Sequence, residues 1–135
     1  MNHVCLIAFA MLLLAGCGGF GRDDAATGAA LYAANCAVCH GGDAQGGGGA
    51  GVAGLSKTPP DLTRLSARNG GTFPATDTLE ALQGYAMGGM RGRQMTGFSG
   101  LQSDQKTRVK LEEGRLRTTE PLAELLLYLQ ALQRP

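Results

Sequence analysis

The chain has 135 residues, which is enough for one domain and too few for two ordinary ones. Twelve Lys and Arg side chains against eleven Asp and Glu give a formal net charge of +1. That charge argues against a nucleic-acid-binding protein and against strong long-range steering toward any partner. The chain has 22 Gly, four Phe, three Tyr and no Trp. This composition predicts a thin core, which a large buried prosthetic group would fill.

The N-terminal segment predicts export. Residues 4–15 are an apolar run, too short to span a bilayer and of the length found at the centre of a signal peptide. The run ends in LAGC, residues 14–17, which resembles the lipobox of bacterial lipoproteins and makes Cys17 the predicted lipidation site. An ordinary signal peptide with a chance cysteine and an uncut short anchor are the alternatives, and no Lys or Arg precedes Val4.

Cleavage before Cys17 would divide the chain into a signal peptide (1–16), a lipid-anchored flexible tether (17–26) and a folded domain (27–135). Export places the mature chain in an oxidising compartment outside the cytoplasm. The predicted location is therefore the periplasmic side of a bacterial membrane, with lipid on Cys17 as the membrane contact.

The stretch CAVCH, residues 36–40, lies at the end of a helix that the Ala content predicts over residues 25–38. With Cys17 assigned to lipid, Cys36, Cys39 and His40 are the Cys and His residues of the folded domain, which is too few for a four-ligand structural zinc site. A thioredoxin-like redox motif needs strand–helix alternation, which is not visible, and a disulfide closing so small a loop would stabilise little.

The spacing C-x-x-C-H is instead that of c-type haem attachment. Two thiols add across the two vinyl groups of the haem, and the helical turn ending at Cys39 sets their separation. The next residue, His40, is then carried beneath the iron as its proximal ligand. The predicted cofactor is one covalently bound haem c.

The segments after CAVCH predict a loop and two short helices. Residues 41–54 contain eight glycines and are predicted as loop. A short helix is predicted from Asp61 to Ala67, ended by Asn69-Gly70-Gly71. Asp77 with Glu80 is predicted to cap the start of a helix that contains Leu79 and Leu82.

The sixth iron ligand must be sought among the methionines, because no second histidine remains after processing. Methionine is a common axial ligand and raises the reduction potential. Met87, Met90 and Met95 are the three candidates left in the mature chain. The alternative use of Met is apolar packing.

Two further helices are predicted toward the C-terminus, and no strand is predicted. One runs from Ser103, as cap, through Glu113, with its Lys, Arg and Glu residues forming a solvated face. The last begins with Thr119 as cap and Pro121 in the first turn. Its leucines at 122, 125, 126, 129 and 132 follow helical spacing and predict one apolar stripe.

The order GAALYAANCAVCHG, PPDLT, RNGGTFP, RGRQMTGFSG and a Leu-rich last helix resembles small class I bacterial c-type cytochromes over residues 25–133. The resemblance implies an all-α fold wrapped around one haem, with the first and last helices crossing where Gly28 allows close approach. It implies that Met95 is the sixth ligand, although Thr96 stands where the family usually has proline. It also implies that a proline carbonyl, of Pro59 or Pro60 and by our choice Pro60, accepts the Nδ1–H of His40. Tyr32 and Phe98 are the further predicted neighbours of the haem.

An iron bound by both His40 and Met95 would have no free position for a substrate, which favours one-electron transfer over catalysis. We therefore expect an electron carrier rather than an enzyme. Its partner would be a redox protein that docks transiently, with neither nucleic acid nor a small-molecule substrate involved. The alternatives are a haem c subunit of a respiratory oxidase or dehydrogenase, and a gas-binding or peroxidase-like protein whose methionine leaves the iron.

Overall fold

The computed structural model describes residues 22–47, 55–88, 95, 98–111 and 114–135. Five helices lie in this part of the chain: α1 Arg22–Asn35, α2 Ala37–His40, α3 Leu65–Arg68, α4 Ala75–Ala86 and α5 Glu120–Ala131. Two 3-10 turns, Leu62–Arg64 and Ser99–Leu101, precede α3 and the sheet. The strands β1 Lys106–Leu111 and β2 Gly114–Thr119 form one antiparallel hairpin between α4 and α5.

The first and last helices pack against each other, as predicted, and Gly28 is the point of closest approach. A Cβ atom at Gly28 would overlap the Glu124 carbonyl oxygen and would lie 2.8 Å from Cβ of Tyr128. The rings of Tyr32 and Tyr128 continue this contact, with their centroids 5.5 Å apart. Only a residue without a side chain lets α1 and α5 come this near.

The core lies between α5, α4 and the inner face of the hairpin. The leucine stripe of α5 is buried as predicted at four positions, and Leu79 and Leu82 of α4 are buried as well. The main buried apolar residues are Tyr32, Leu79, Leu82, Leu101, Val109, Leu111, Leu122, Leu125, Leu126 and Leu129. Of the seven Phe and Tyr residues in the chain, Tyr32, Phe73 and Tyr85 are buried.

The short helix after the prolines is confirmed. It consists of the 3-10 turn Leu62–Arg64 and α3, and Gly70 follows Asn69 with a positive φ of 67°. Asp61 caps it, since its carboxylate accepts a hydrogen bond from the Thr63 backbone N–H at 2.8 Å.

Several predicted boundaries are wrong. The first helix starts at Arg22, inside the segment assigned to the tether, and is interrupted at Cys36. The helix α4 starts at Ala75, so Asp77 lies inside its first turn and does not cap it. Thr119 is the cap residue of α5 by position, but its hydroxyl makes no capping bond and has no hydrogen-bond partner among the described atoms.

The helix predicted over residues 103–113 is also wrong, and with it the all-α class. Residues 106–111 form β1, and the Ser103 hydroxyl accepts a hydrogen bond from the Gln105 N–H in a turn before that strand. Buried Val109 and Leu111 alternate with exposed Arg108 and Lys110, which is the pattern of a strand with one covered face. The fold is therefore largely helical with one β-hairpin.

Candidate functional site

The attachment segment CAVCH is held in a single turn. The Cys36 carbonyl accepts hydrogen bonds from the backbone N–H groups of Cys39 at 3.1 Å and His40 at 2.9 Å. This turn brings the two thiols and the imidazole together at the junction of α1 and α2. Both cysteines are free thiols, with Cys36 buried and Cys39 half-buried. The pKa of the Cys36 thiol is raised to about 11, mainly by burial and to a smaller extent by the nearby Cys39.

The His40 side chain is only 4% exposed, and its ring orientation is fixed by one hydrogen bond. Its Nδ1 atom lies 3.0 Å from the Pro60 carbonyl oxygen. A carbonyl only accepts, so Nδ1 carries the proton in this bond and Nε2 is left with its lone pair for a metal. The hydrogen bond is the one that the resemblance implied for Pro60.

A close crossing of two loops holds the Pro60 carbonyl in place. The Gly46 N–H donates to the His40 carbonyl at 2.8 Å, and the Leu62 N–H donates to the Ala44 carbonyl at 2.8 Å. Gly46 has a φ of +83°, and a Cβ there would overlap the Pro59 carbonyl oxygen and lie 3.0 Å from the Asp61 nitrogen. Glycine is therefore required at position 46 for the loop to pass over the Pro59–Asp61 backbone.

Asp61 stabilises the turn that follows Pro60. Its Oδ1 accepts hydrogen bonds from the Thr63 hydroxyl at 2.7 Å and from the Thr63 backbone N–H at 2.8 Å. The Thr63 hydroxyl bond is the main reason that the pKa of Asp61 lies below its ordinary value of 3.8, with the backbone bond, Arg68 and Arg64 adding to the effect against some desolvation.

The C-terminal end of the chain supports the same turn. The Gln133 amide donates to the Leu62 carbonyl at 2.9 Å and accepts from the Ser66 N–H at 2.9 Å. The Arg134 backbone N–H donates to the Thr63 carbonyl at 2.8 Å. Gln133 and Arg134, which follow α5, therefore bind the turn that comes directly after Pro60, whose carbonyl orients the His40 ring.

Tyr32 links the helix packing to the attachment segment. Its side chain is 1% exposed, and its hydroxyl donates to the carbonyl of Gly41, the residue after His40, at 2.7 Å. Burial is the largest cause that raises the pKa of Tyr32 to about 12. The sequence predicted Tyr32 as a haem neighbour, and the structure places it between α5 and the residue after His40.

The three methionine candidates for the sixth iron ligand differ in their exposure to solvent. Met95 is half-buried, Met90 lies outside the described residues, and the Met87 side chain is 81% exposed at the end of α4. Phe98 is half-buried against the core, and its N–H donates to the Tyr85 carbonyl at 2.9 Å. The described contacts do not join Met95 to His40, so this ligand pair stays a prediction.

The lipidation site Cys17 and the predicted signal peptide lie outside the described residues. In the part of the chain that the structure covers, no helix has the length and apolar character needed to cross a membrane. The same part contains no cluster of three or more His, Cys, Asp or Glu side chains arranged to hold a metal ion.

The donor set fits a covalently bound haem. Two free thiols lie in one turn, and the imidazole beside them has Nε2 free while Nδ1 is bound to Pro60. Sequence reasoning found these residues but missed the supporting roles of Gly46 and Gln133. Gly46 stands among many glycines, and no local pattern marks Gln133 as the partner of a turn 67 residues away.

The family model Cytochrome c matches residues 25–113, about two thirds of the chain. The comparisons found no matching curated protein and no matching solved structure. The matched range contains the attachment turn, the Pro60 carbonyl and the segment around Met95. The chain therefore belongs to the cytochrome c family, which implies a haem c cofactor and haem-based electron transfer.

Proposed function

We propose that the chain is a monohaem one-electron carrier of the small class I bacterial type, tethered to a membrane through lipid on Cys17. Cys36 and Cys39 hold the haem covalently, and His40 and Met95 are the axial ligands of its iron. The observation that carries this proposal is the bond between His40 Nδ1 and the Pro60 carbonyl at 3.0 Å, because it leaves Nε2 free for the iron.

The haem, when bound, supplies a reversible one-electron change at iron. The protein chain fixes the position of the haem and provides its surroundings. The Cys36 and Cys39 thiols fix the ring to the turn, and the Pro60 carbonyl keeps the His40 imidazole in one orientation and raises its basicity. The burial of Cys36 and His40 keeps this side of the site away from water.

An electron carrier is favoured over an enzyme by the side chains available. The chain has two histidines, and one of them, His3, lies in the predicted signal peptide. His40 then has no second imidazole beside it for acid–base chemistry. A protein that holds the iron from both sides suits electron exchange with a redox partner better than binding of a substrate.

The ligand assignment is tested by absorption spectra of the purified holoprotein in both oxidation states. We expect the spectrum of a covalent, low-spin haem c with a methionine–iron band in the oxidised form. Met95→Ala should abolish that band, and Met87→Ala should keep it because the Met87 side chain is exposed. If the band survives Met95→Ala, Met95 is not the ligand.

Two further measurements separate the alternative functions. Carbon monoxide binding to the reduced protein at neutral pH would favour a gas-binding or peroxidase-like protein, and no binding is expected. Persistent co-purification with a respiratory oxidase or dehydrogenase would favour a complex subunit.

Cys17→Ala should move the protein from the membrane fraction to the soluble fraction, whereas unchanged membrane retention would contradict a lipid anchor.

A further inference from the structure

The side-chain amide of Gln133 connects the end of α5 to the turn that follows Pro60. Its nitrogen donates to the Leu62 carbonyl at 2.9 Å and to the Leu129 carbonyl of α5 at 2.7 Å. Its oxygen accepts from the Ser66 N–H at 2.9 Å. An amide nitrogen has two hydrogens and both are used here, so the side chain is held in one orientation. Gln133 thereby fixes the turn relative to α5.

The next residue adds a backbone bond to the same turn. The Arg134 N–H donates to the carbonyl of buried Thr63 at 2.8 Å. The Arg134 side chain is exposed and is not needed for this bond. Gln133 and Arg134, which we call the α5 clamp, lie outside the residues 25–113 that match the family model. The clamp is therefore a feature of this chain that the family match does not cover.

The clamp and the loop that follows His40 meet at Leu62. The Leu62 N–H donates to the Ala44 carbonyl at 2.8 Å, and the Leu62 carbonyl accepts from the Gln133 amide. Two positions earlier in the chain is Pro60, whose carbonyl oxygen lies 3.0 Å from Nδ1 of His40. Because this segment is so short, a displacement of Leu62 also moves the oxygen that accepts the imidazole proton.

The helix α5 also positions the donor of that bond. Helix α1 crosses α5 at Gly28 and leads directly to the attachment turn at Cys36. Tyr32 of α1 packs on Tyr128 of α5, and the Tyr32 hydroxyl donates to the Gly41 carbonyl at 2.7 Å. One helix therefore holds both the segment of the imidazole and the segment of its hydrogen-bond acceptor.

We propose that the α5 clamp is a positioning element that sets the reduction potential of the haem iron through the hydrogen bond between His40 and Pro60. This inference rests on the proposed electron-carrier function. A strong hydrogen bond at Nδ1 makes the imidazole a more basic ligand, and a more basic ligand favours Fe(III) over Fe(II). Loss of the clamp loosens the Pro60 carbonyl and weakens this bond, so the reduction potential should rise.

Four variants test the clamp, each clamp variant with its own control. Gln133→Met removes the amide from a side chain of similar length. Gln83→Met is its control, because Gln83 is also half-buried and its amide donates to the Thr118 hydroxyl of the hairpin at 3.5 Å. Arg134→Pro removes the backbone N–H that binds Thr63, whereas Arg134→Ala keeps that N–H.

Two measurements are made on each purified holoprotein: the midpoint potential, by titration with redox mediators, and the solvent exchange of the His40 Nδ1 proton, by nuclear magnetic resonance. We expect Gln133→Met and Arg134→Pro each to shift the equilibrium with the mediator about threefold toward the reduced form and to speed the exchange. Both controls should match the wild type. An unchanged potential in Gln133→Met, or an equal shift in Gln83→Met, would overturn the proposal.

A further variant separates positioning from a general loss of stability. Leu111→Ala removes a buried side chain of the hairpin rather than of the clamp, and it should lower the urea midpoint while the potential stays at the wild-type value. A potential that rises in step with the loss of stability across all variants would overturn the proposal, since any loosening of the fold would then have the same effect.

Absorption spectra of the same samples keep this test apart from the proposed function. If the wild type has the spectrum of a low-spin covalent haem c and its potential does not respond to the clamp, the clamp proposal is wrong and the electron carrier stands. If the wild-type spectrum lacks those features, the proposed function itself fails.

Discussion

At the scale of single residues, the site depends on hydrogen bonds that fix His40 from outside its own helix. The Pro60 carbonyl sets the ring orientation, and Asp61, Thr63 and Gln133 hold the turn that begins there. The residues that bind the haem could be predicted from CAVCH because the motif is contiguous. The residues that fix the position of His40 could not be predicted, since they come together only through the fold.

Tyr32→Phe removes the hydroxyl that donates to the Gly41 carbonyl at 2.7 Å. We expect the free energy of unfolding to fall by about 1 kcal/mol, because a part-buried carbonyl loses its hydrogen bond while the ring packing stays. Urea unfolding measures the change. Tyr85→Phe is the control, since Tyr85 is buried at its ring and no hydrogen bond is described for its hydroxyl; an equal loss there would contradict the assignment.

Asp61 should make stability depend on pH in the acid range. Its pKa lies below 3.8 in the folded state, so the ionised carboxylate stabilises the fold fully above pH 3.8. That contribution is lost as the pH falls from 3.8 through the lower folded value. We expect Asp61→Asn to be less stable than the wild type at neutral pH, with the difference shrinking below pH 3.8.

The same acid titration on Thr63→Val tests the cause. Thr63 is buried, and its hydroxyl is the largest contributor to the lowered pKa of Asp61. The acid-dependent loss of stability should become smaller in this variant. If the urea midpoint of the variant falls with pH as steeply as that of the wild type, the Thr63 bond is not what lowers the pKa of Asp61.

At the scale of elements, the packing of α1 on α5 was implied by the family resemblance, and the hairpin was missed. The Ala-rich helix and the leucine stripe each gave a helical signal, and the resemblance pointed to Gly28 as the place of close approach. The hairpin had its own signal, because Val109 and Leu111 alternate with charged residues before the sequence Glu-Glu-Gly. The Lys, Arg and Glu content suggested a solvated helix instead. An alternation over so few residues is too weak a signal to distinguish a strand from a helix.

Gly28→Ala should destabilise the contact between α1 and α5. The new methyl group would overlap the Glu124 carbonyl, and the helices would have to separate, at a cost of about 1–3 kcal/mol in the free energy of unfolding. Gly42→Ala is a matched control, because nothing lies within 4 Å of a Cβ at that position. Equal stabilities of the two variants in urea would contradict the close approach.

The strand assignment predicts alternating effects along β1. Leu111→Ala removes a buried side chain of the inner face and should lower the free energy of unfolding by about 2–4 kcal/mol. Lys110→Ala, one residue earlier on the exposed face, should change it by less than about 0.5 kcal/mol. Comparable losses at both positions would contradict the register of the hairpin.

At the scale of the whole molecule, net charge does not report where the charges lie. The total of +1 argued against long-range steering, while residues 106–119 alone have a net charge of +3 from five Lys and Arg against two Glu. The composition predicted a thin core that a buried prosthetic group fills, and this stays a prediction.

Preventing attachment should therefore weaken the whole fold. The variant with Cys36→Ser and Cys39→Ser cannot form either thioether bond, and a ligand bound only to the native state stabilises that state. We expect its helix content at room temperature and its thermal midpoint, both read by circular dichroism, to fall well below those of the holoprotein. Matching melting curves would mean that the chain alone suffices for the core.

The bonds from Gln133 and Arg134 to the turn after Pro60 have a practical consequence for anyone who handles this protein. Proteolytic trimming that reaches Gln133 would remove both of these residues. Their loss would loosen the turn whose carbonyl orients the His40 imidazole. Material that keeps Gln133 and Arg134 is the proper standard for colour and redox measurements.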